Sequence, residues 1–316
     1  MALDPQIEYV LGLIEQSPYP ELHTVSAEEA RQIFEATAPA LNVRPEGIFR
    51  SEDRWIDGVE GKILIRIYTP HEPAPGELLP ILVFYHGGGF VIGSLDSYDN
   101  LCRAIANRTD CIVVSVDYRL APEHKFPAAV DDALEAYQWV IDHAGELDGD
   151  AGRMAIGGDS AGGNITAVTA IGIRDEGYMA PLLQILIYPV AGGAPETPSH
   201  YEFAEGLLLT RASILWFYDQ YLDRPEDATD PRFAPLLADD LSDLPPALVI
   251  VAGHDPLRDE GIAYADRLGQ AGVEAELVNY EGMVHGFLSL ADAVDQGKLA
   301  IDRVATALRT AFKDVS

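Results

Sequence analysis

The chain has 316 residues, 48% hydrophobic and 23% charged, a balance that suits one large α/β domain with an appendage and excludes disorder, collagen-like repeats and coiled coil. Acidic residues number 51 against 21 basic ones, for a formal charge of −30, and only Lys62, Lys125, Lys298 and Lys313 are lysine. Such a surface repels phosphate backbones and anionic headgroups, which argues against nucleic-acid and membrane partners.

The segment Met1 to Gln16 carries Asp4, Glu8 and Glu15 and lacks the basic start of a secretory signal, and no run of about 18 apolar residues occurs. A cytoplasmic location is expected. Two helices are predicted in the first 45 residues, one from about Asp4 and one opening at Ser26 with Glu29 in capping-box spacing. From Gly61 the period changes: Ile63, Ile65 and Ile67 alternate with polar residues, the pattern of a half-buried antiparallel strand. Short apolar runs follow at Ile81 to Tyr85, Cys111 to Val116, Met154 to Ile156, Leu182 to Tyr188 and Ala247 to Val251. They read as strands buried on both faces. Between them lie helix-length stretches at Leu101 to Arg108, Ala128 to His143, Ala161 to Arg174 and Gly261 to Gln270. This alternation predicts an α/β fold, a mostly parallel sheet with helices on both faces. Residues 191–230 break the rhythm with a Gly/Pro-rich loop and an aromatic helix, and read as an insertion packed over the end of the sheet. Cys102 and Cys111 form no disulfide framework and no Cys/His cluster suggests zinc, so they read as buried thiols and no metal is expected.

The strongest chemical signal is Gly158-Asp159-Ser160-Ala161-Gly162, between a predicted strand and a predicted helix. There the glycines permit a tight turn that presents the serine hydroxyl to a base. The absence of a following Lys in GxxxxGK[ST] spacing opposes a phosphate-loop reading. His86-Gly87-Gly88-Gly89 follows another strand, and successive glycines let backbone N–H groups converge on one small anion. His86, at the head of that run, is expected to anchor the loop rather than to act as a base. A serine nucleophile needs a base with an acidic partner. His285 follows the predicted strand Val273 to Tyr280, and Asp255 follows the strand ending at Val251, where active-site groups of open sheets collect. Asp255 could instead cap a helix with Pro256 at its first position, leaving Asp259 or Glu260 as the acid. The order Ser160, Asp255, His285 is that of the α/β-hydrolases.

Five stretches together resemble the bacterial hormone-sensitive lipase family of esterases in its GDSAG branch: HGGG at 86–89, Asp117-Tyr118-Arg119-Leu120-Ala121-Pro122-Glu123-His124 with Phe126-Pro127-Ala128, GDSAGGN at 158–164, Asp255-Pro256-Leu257, and His285-Gly286-Phe287. The resemblance spans roughly residues 45–316. It implies an α/β-hydrolase fold with N-terminal cap helices at 1–45, a catalytic domain at 46–190 and 231–316, and a cap insertion at 191–230. It also implies a carboxylesterase with Ser160 as nucleophile, His285 as base, Asp255 as its orienting acid, and an oxyanion hole from the N–H groups of Gly88, Gly89 and Ala161. The Asp117 to Ala128 stretch is expected to brace loops near the site. No cofactor is implied, the partner is a small ester substrate, and a homodimer is admitted by analogy with the family. The expected substrates are neutral short- to medium-chain esters, because like charge opposes anionic ones. Phe203, Leu207, Leu208 and Trp216 are expected to set the pocket depth. An amidase or formamidase using the same triad, a true lipase and a non-catalytic ligand-binding relative are the competing readings.

Overall fold

The computed structural model describes residues 2–41 and 43–313. Met1, Asn42 and residues 314–316, which fall within the expected cap and catalytic segments, lie outside them.

One eight-stranded sheet organises the chain. Its strands are β1 (Arg50–Gly58), β2 (Gly61–Thr69), β3 (Leu79–Tyr85), β4 (Ile112–Asp117), β5 (Gly149–Asp159), β6 (Gln184–Ile187), β7 (Ala247–His254) and β8 (Ala275–Val284), in the order β1-β2-β4-β3-β5-β6-β7-β8. Pairs β1/β2 and β2/β4 are antiparallel and the rest are parallel. The continuous apolar runs are explained by burial on both faces. In β3, Ile81, Val83 and Tyr85 enter one core while Leu82 and Phe84 enter the other, and β7 divides Val249 and Val251 from Leu248 and Ile250 in the same way. Truncating one of these side chains, as in Leu82→Ala, costs about 2–5 kcal/mol.

Helices α3 (Asp99–Thr109), α4 (Ala128–His143), α5 (Ala161–Glu176) and α8 (Arg258–Gln270) form the expected crossovers, with α9 (Asp295–Lys313) packed beside α3. Besides a five-residue helix at Pro198–Glu202 in the insertion, two longer elements escape the sequence reading. Strand β1 is an edge strand in which only Ile56 is buried, so it has almost no apolar pattern, and its charges pair along the surface, as Asp53 does with Arg66 at 2.6 Å. Helix α9 buries Ala300, Ile301, Val304 and Leu308 along one stripe, a helical period the reading passed over.

The N-terminal helices α1 (Pro5–Ile14) and α2 (Ala27–Leu41) begin where expected. The Asp4 carboxylate accepts the Gln6 N–H at 2.8 Å, and the Ser26 hydroxyl accepts the Glu29 N–H at 3.2 Å. They go to different places. Helix α1 lies against β8, tied by Asp4 N–H to the Gly282 carbonyl at 3.0 Å. Helix α2 is clamped above the sheet by Arg31, which donates to the Val91 and Ala121 carbonyls at 2.8 and 2.6 Å and pairs with Glu123. The insertion supplies α6 (Pro198–Glu202) and α7 (Arg211–Tyr221), and α7 packs on the turn Leu22–Thr24 that precedes α2.

Candidate active site

Because the central strands are parallel, their C-terminal ends open on one edge of the sheet. His86 follows β3, Ser160 follows β5, Asp255 follows β7 and His285 follows β8. Strand β8 runs to Val284, further than the sequence predicts, so His285 leaves the strand directly rather than from a loop.

Ser160 sits between β5 and α5 with φ 55° and ψ −117°. That conformation costs a non-glycine residue about 1–3 kcal/mol and persists only where its surroundings enforce it. Here Ser160 N–H donates to the Ile187 carbonyl at 2.8 Å, and its carbonyl accepts the Asn164 N–H at 3.0 Å. Asn164, fully buried, reaches across to the Val190 and Phe233 carbonyls at 2.8 and 2.7 Å. Gly162 is required by close approach, since a side chain there would overlap the Tyr85 carbonyl.

His285 joins the serine to an acid. Its Nε2 lies 2.8 Å from Ser160 Oγ and its Nδ1 lies 2.8 Å from Asp255 Oδ2. A carboxylate can only accept, so Nδ1 carries the proton and Nε2 is left to accept from the serine hydroxyl. Asp255 is fully buried, and its other oxygen accepts the Leu257 N–H at 2.9 Å. The helix capping weighed for it does not form, because the helix begins at Arg258 with Leu257 at its N-cap; the Asp255 side chain holds the turn that precedes the helix and faces His285 with its second oxygen. Asp259 is occupied by Arg258 and the Ser199 N–H, and Glu260 by the Ala191 N–H.

The glycine loop faces the serine. Among the described residues no acceptor takes the N–H of Gly88, Gly89 or Ala161. Gly89 has φ 59°, and a side chain on it would run into the Phe217 ring. His86 is fully buried, stacks on Tyr118 with centroids 4.4 Å apart, and places Nδ1 2.7 Å from the Gly87 carbonyl. Burial pushes its pKa down to about 4, so it stays neutral and anchors the loop. The Asp117 to Ala128 stretch braces the same region: the Tyr118 hydroxyl donates to the His86 carbonyl at 2.7 Å, Arg119 grips Asp132, and Phe126 N–H reaches the Tyr221 carbonyl on α7 at 2.9 Å.

Residues 82–289 match the model of a family described by its alpha/beta hydrolase fold. The chain belongs to this family. Within it, the chain is a serine carboxylesterase of the hormone-sensitive lipase branch. It is 36% identical over 315 residues to an ethyl acetate hydrolase from Pseudomonas putida, covering 98% of this chain and 99% of that one. To the carboxylesterase NlhH of Mycobacterium tuberculosis it is 41% identical over 296 residues, 92% of each chain. A hyperthermophilic esterase from Pyrobaculum calidifontis superposes with a TM-score of 0.93 at 42% identity over all of both chains. An ester-hydrolase from the metagenome of Lake Arreo, solved with a derivative of bipyridine phosphonate, superposes at 0.94 and 42% identity over 98% of this chain and 99% of that one.

In this esterase a cavity of about 270 Å³ opens beside Ser160 and His285. Apolar side chains from three places wall it: Leu22 and Phe34 near the N-terminus, Leu208, Leu209 and Phe217 from the insertion, and Leu290 beyond β8. Of the four residues expected to set its depth, Leu208 lines it and Phe203, Leu207 and Trp216 do not. Phe203 instead packs under the Arg258 guanidinium at 5.0 Å, Leu207 is half-buried beside Leu208 against the core that holds Leu82 and Phe84, and Trp216 lies edge-on to Phe217 at 5.1 Å. The sequence marked the insertion helix as aromatic, but which face of α7 turns to the serine depends on its packing. Among the described residues no helix is long and apolar enough to cross a membrane.

Proposed function

We propose that Ser160 is the nucleophile of this carboxylesterase, His285 its general base and acid, Asp255 the group that orients His285, and the N–H groups of Gly88, Gly89 and Ala161 its oxyanion hole. The observation that carries the reading is His285 bridging Ser160 and Asp255 at 2.8 Å on each side, opposite a glycine loop whose N–H groups have no acceptor among the described residues.

The ester carbonyl carbon is attacked by Ser160 Oγ as His285 Nε2 takes the hydroxyl proton. Charge collects on the former carbonyl oxygen and is held by the three N–H groups, which are in place before reaction and need no reorganisation. Collapse expels the alcohol with the proton from His285, leaving an acyl-serine. Water enters the same position and bonds to the acyl carbon as it gives a proton to His285, and His285 passes that proton to Ser160 Oγ as the acyl–serine bond breaks, releasing the acid and restoring the free hydroxyl. Asp255 keeps the proton on Nδ1 and offsets the positive charge of the imidazolium.

The substrates on this reading are neutral esters of short- to medium-chain acids. A cavity of about 270 Å³ falls just below the range of about 300–1,000 Å³ usual for small-molecule sites, and its apolar wall suits an alkyl chain. The net charge of −30 slows the approach of anionic esters. Segments 1–45 and 191–230 act together as the cap, since Phe34 and Phe217, one from each, line the cavity. Initial rates on nitrophenyl esters from acetyl to palmitoyl, with the matching anilides, test the assignment. The expected optimum lies no longer than octanoyl, with anilides far slower; a rate rising to palmitoyl, or anilides preferred, contradicts it.

A further inference from the structure

We propose that the short insertion helix α6 positions the acid Asp255, with Ser199 as the positioning residue, so that the insertion shapes the reaction geometry as well as the pocket. The inference rests on the assignment of Asp255 as the triad acid.

Asp255 stands at the start of a turn leading into α8, and such a turn is only as rigid as the groups satisfying its backbone. Two of those groups come from the turn itself: the Leu257 N–H reaches Asp255 Oδ1, and the Arg258 N–H reaches the Asp255 carbonyl at 3.0 Å. The next two come from Ser199, distant in sequence and fully buried. Its hydroxyl donates to the Pro256 carbonyl at 2.6 Å and accepts the Asp259 N–H at 3.2 Å, serving as an N-terminal cap of α8 from another part of the chain. The connection is reciprocal, because Ser199 N–H donates to the Asp259 carboxylate at 2.9 Å.

The residues around Ser199 extend the joint. Arg258 pairs with Glu202 at 3.1 Å and lies over the Phe203 ring at 5.0 Å, while its other nitrogen reaches the Gly253 carbonyl at the end of β7. His200, also fully buried, places Nδ1 2.6 Å from Thr197 Oγ1 and Nε2 4.0 Å from Glu260. Thus the turn carrying Asp255 is held on its outer side by α6, and the position of the carboxylate relative to His285 depends on that grip. Without the Ser199 hydroxyl the Pro256 carbonyl and the Asp259 N–H lose a partner, and the turn must relax to find others.

The test is a double-mutant cycle on nitrophenyl acetate, with melting temperatures measured in parallel. Ser199→Ala is expected to lower kcat about tenfold with KM changed less than about twofold, and to lower it less than about twofold further in an Asp255→Asn background, where there is no acid left to position. Wild-type kcat in Ser199→Ala, or an equal tenfold loss in both backgrounds, overturns the proposal. If Ser199→Ala does not yield folded protein, Asp259→Asn, which can satisfy only one of the Ser199 N–H and Arg258 through its single acceptor oxygen, goes through the same cycle with the same two outcomes. Wild-type kcat in Asp255→Asn instead overturns the assignment of the acid, a result distinct from failure of the Ser199 arm alone.

Discussion

Asp159 and Gly87 tie the serine turn to the glycine loop: the Asp159 carboxylate, buried beside Ser160, accepts the Gly87 N–H at 2.9 Å. Its second oxygen accepts the Tyr98 hydroxyl at 3.0 Å. The Asp159 side chain thus adds a direct tie between the serine turn and the loop that carries Gly88 and Gly89, beside the pairing of β3 with β5 and the bracing by Tyr118. Burial pushes Asp159 up to about 6, partly opposed by these two hydrogen bonds and by nearby His285, so near neutral pH it is an acceptor at both oxygens.

Asp159→Asn keeps the shape but is neutral and has one acceptor oxygen, so the two hydrogen bonds to a charged carboxylate are lost: with its oxygen on the Gly87 N–H, its NH2 faces the Tyr98 hydroxyl, which must turn its own proton elsewhere. A hydrogen bond to a charged group is worth about 1.5–3 kcal/mol, which corresponds to a fall in kcat of roughly 10- to 100-fold if the loop position is what it secures. Steady-state kinetics on nitrophenyl acetate should find that fall with KM little changed. Wild-type kcat would mean that the glycine loop holds its place without Asp159.

Phe217 presses on Gly89 and lines the cavity from α7. Phe217→Ala removes part of the wall that limits the acyl chain. The ratio of kcat/KM for octanoyl over acetyl ester should rise about tenfold, because each added methylene placed against protein rather than water is worth about 0.8 kcal/mol. An unchanged ratio would place the acyl chain elsewhere.

Glu260 offers a test by pH. It is fully buried, and burial pushes its pKa from 4.5 up to about 8 despite the N–H donors of Ala191 and Gly192. The groups facing it are His200, held neutral by burial, Tyr218, pushed well above its ordinary range, and the Asp255 carboxylate, which raises Glu260 further. A carboxyl raised in the folded state keeps its proton there after the unfolded chain has released it. Its contribution to stability is present in full below about 4.5 and is lost as the pH rises to about 8. Glu260→Gln mimics the protonated form and does not titrate. Melting curves should place the two proteins close together near pH 5, with the variant increasingly the more stable towards pH 8; a gap independent of pH would contradict the assignment.

Legibility in the sequence followed locality. Ser160, Gly88, Gly89, Asp255 and His285 each sit in a short motif at a strand end, and the parallel order of the strands that their spacing implies is enough to gather them on one edge. The five apolar runs became strands because burial on both faces leaves no other pattern. Strand β1 was illegible because an edge strand rich in charge carries no hydrophobic period. The pocket wall was legible only as a segment: Phe217 and Trp216 are adjacent and aromatic, and one lines the cavity while the other does not. The ties from Asp159 to Gly87 and from Ser199 to Pro256 join residues far apart in sequence, and no local spacing encodes them.

The most direct measurement is to react the protein with a nitrophenyl alkylphosphonate, digest it and locate the adduct by mass spectrometry. A phosphonate imitates the tetrahedral intermediate and is trapped by whichever hydroxyl attacks. The account predicts one adduct per chain, on Ser160, with esterase activity lost in proportion, and no labelling or turnover in Ser160→Ala. An adduct on another residue, or an active Ser160→Ala protein, would contradict it.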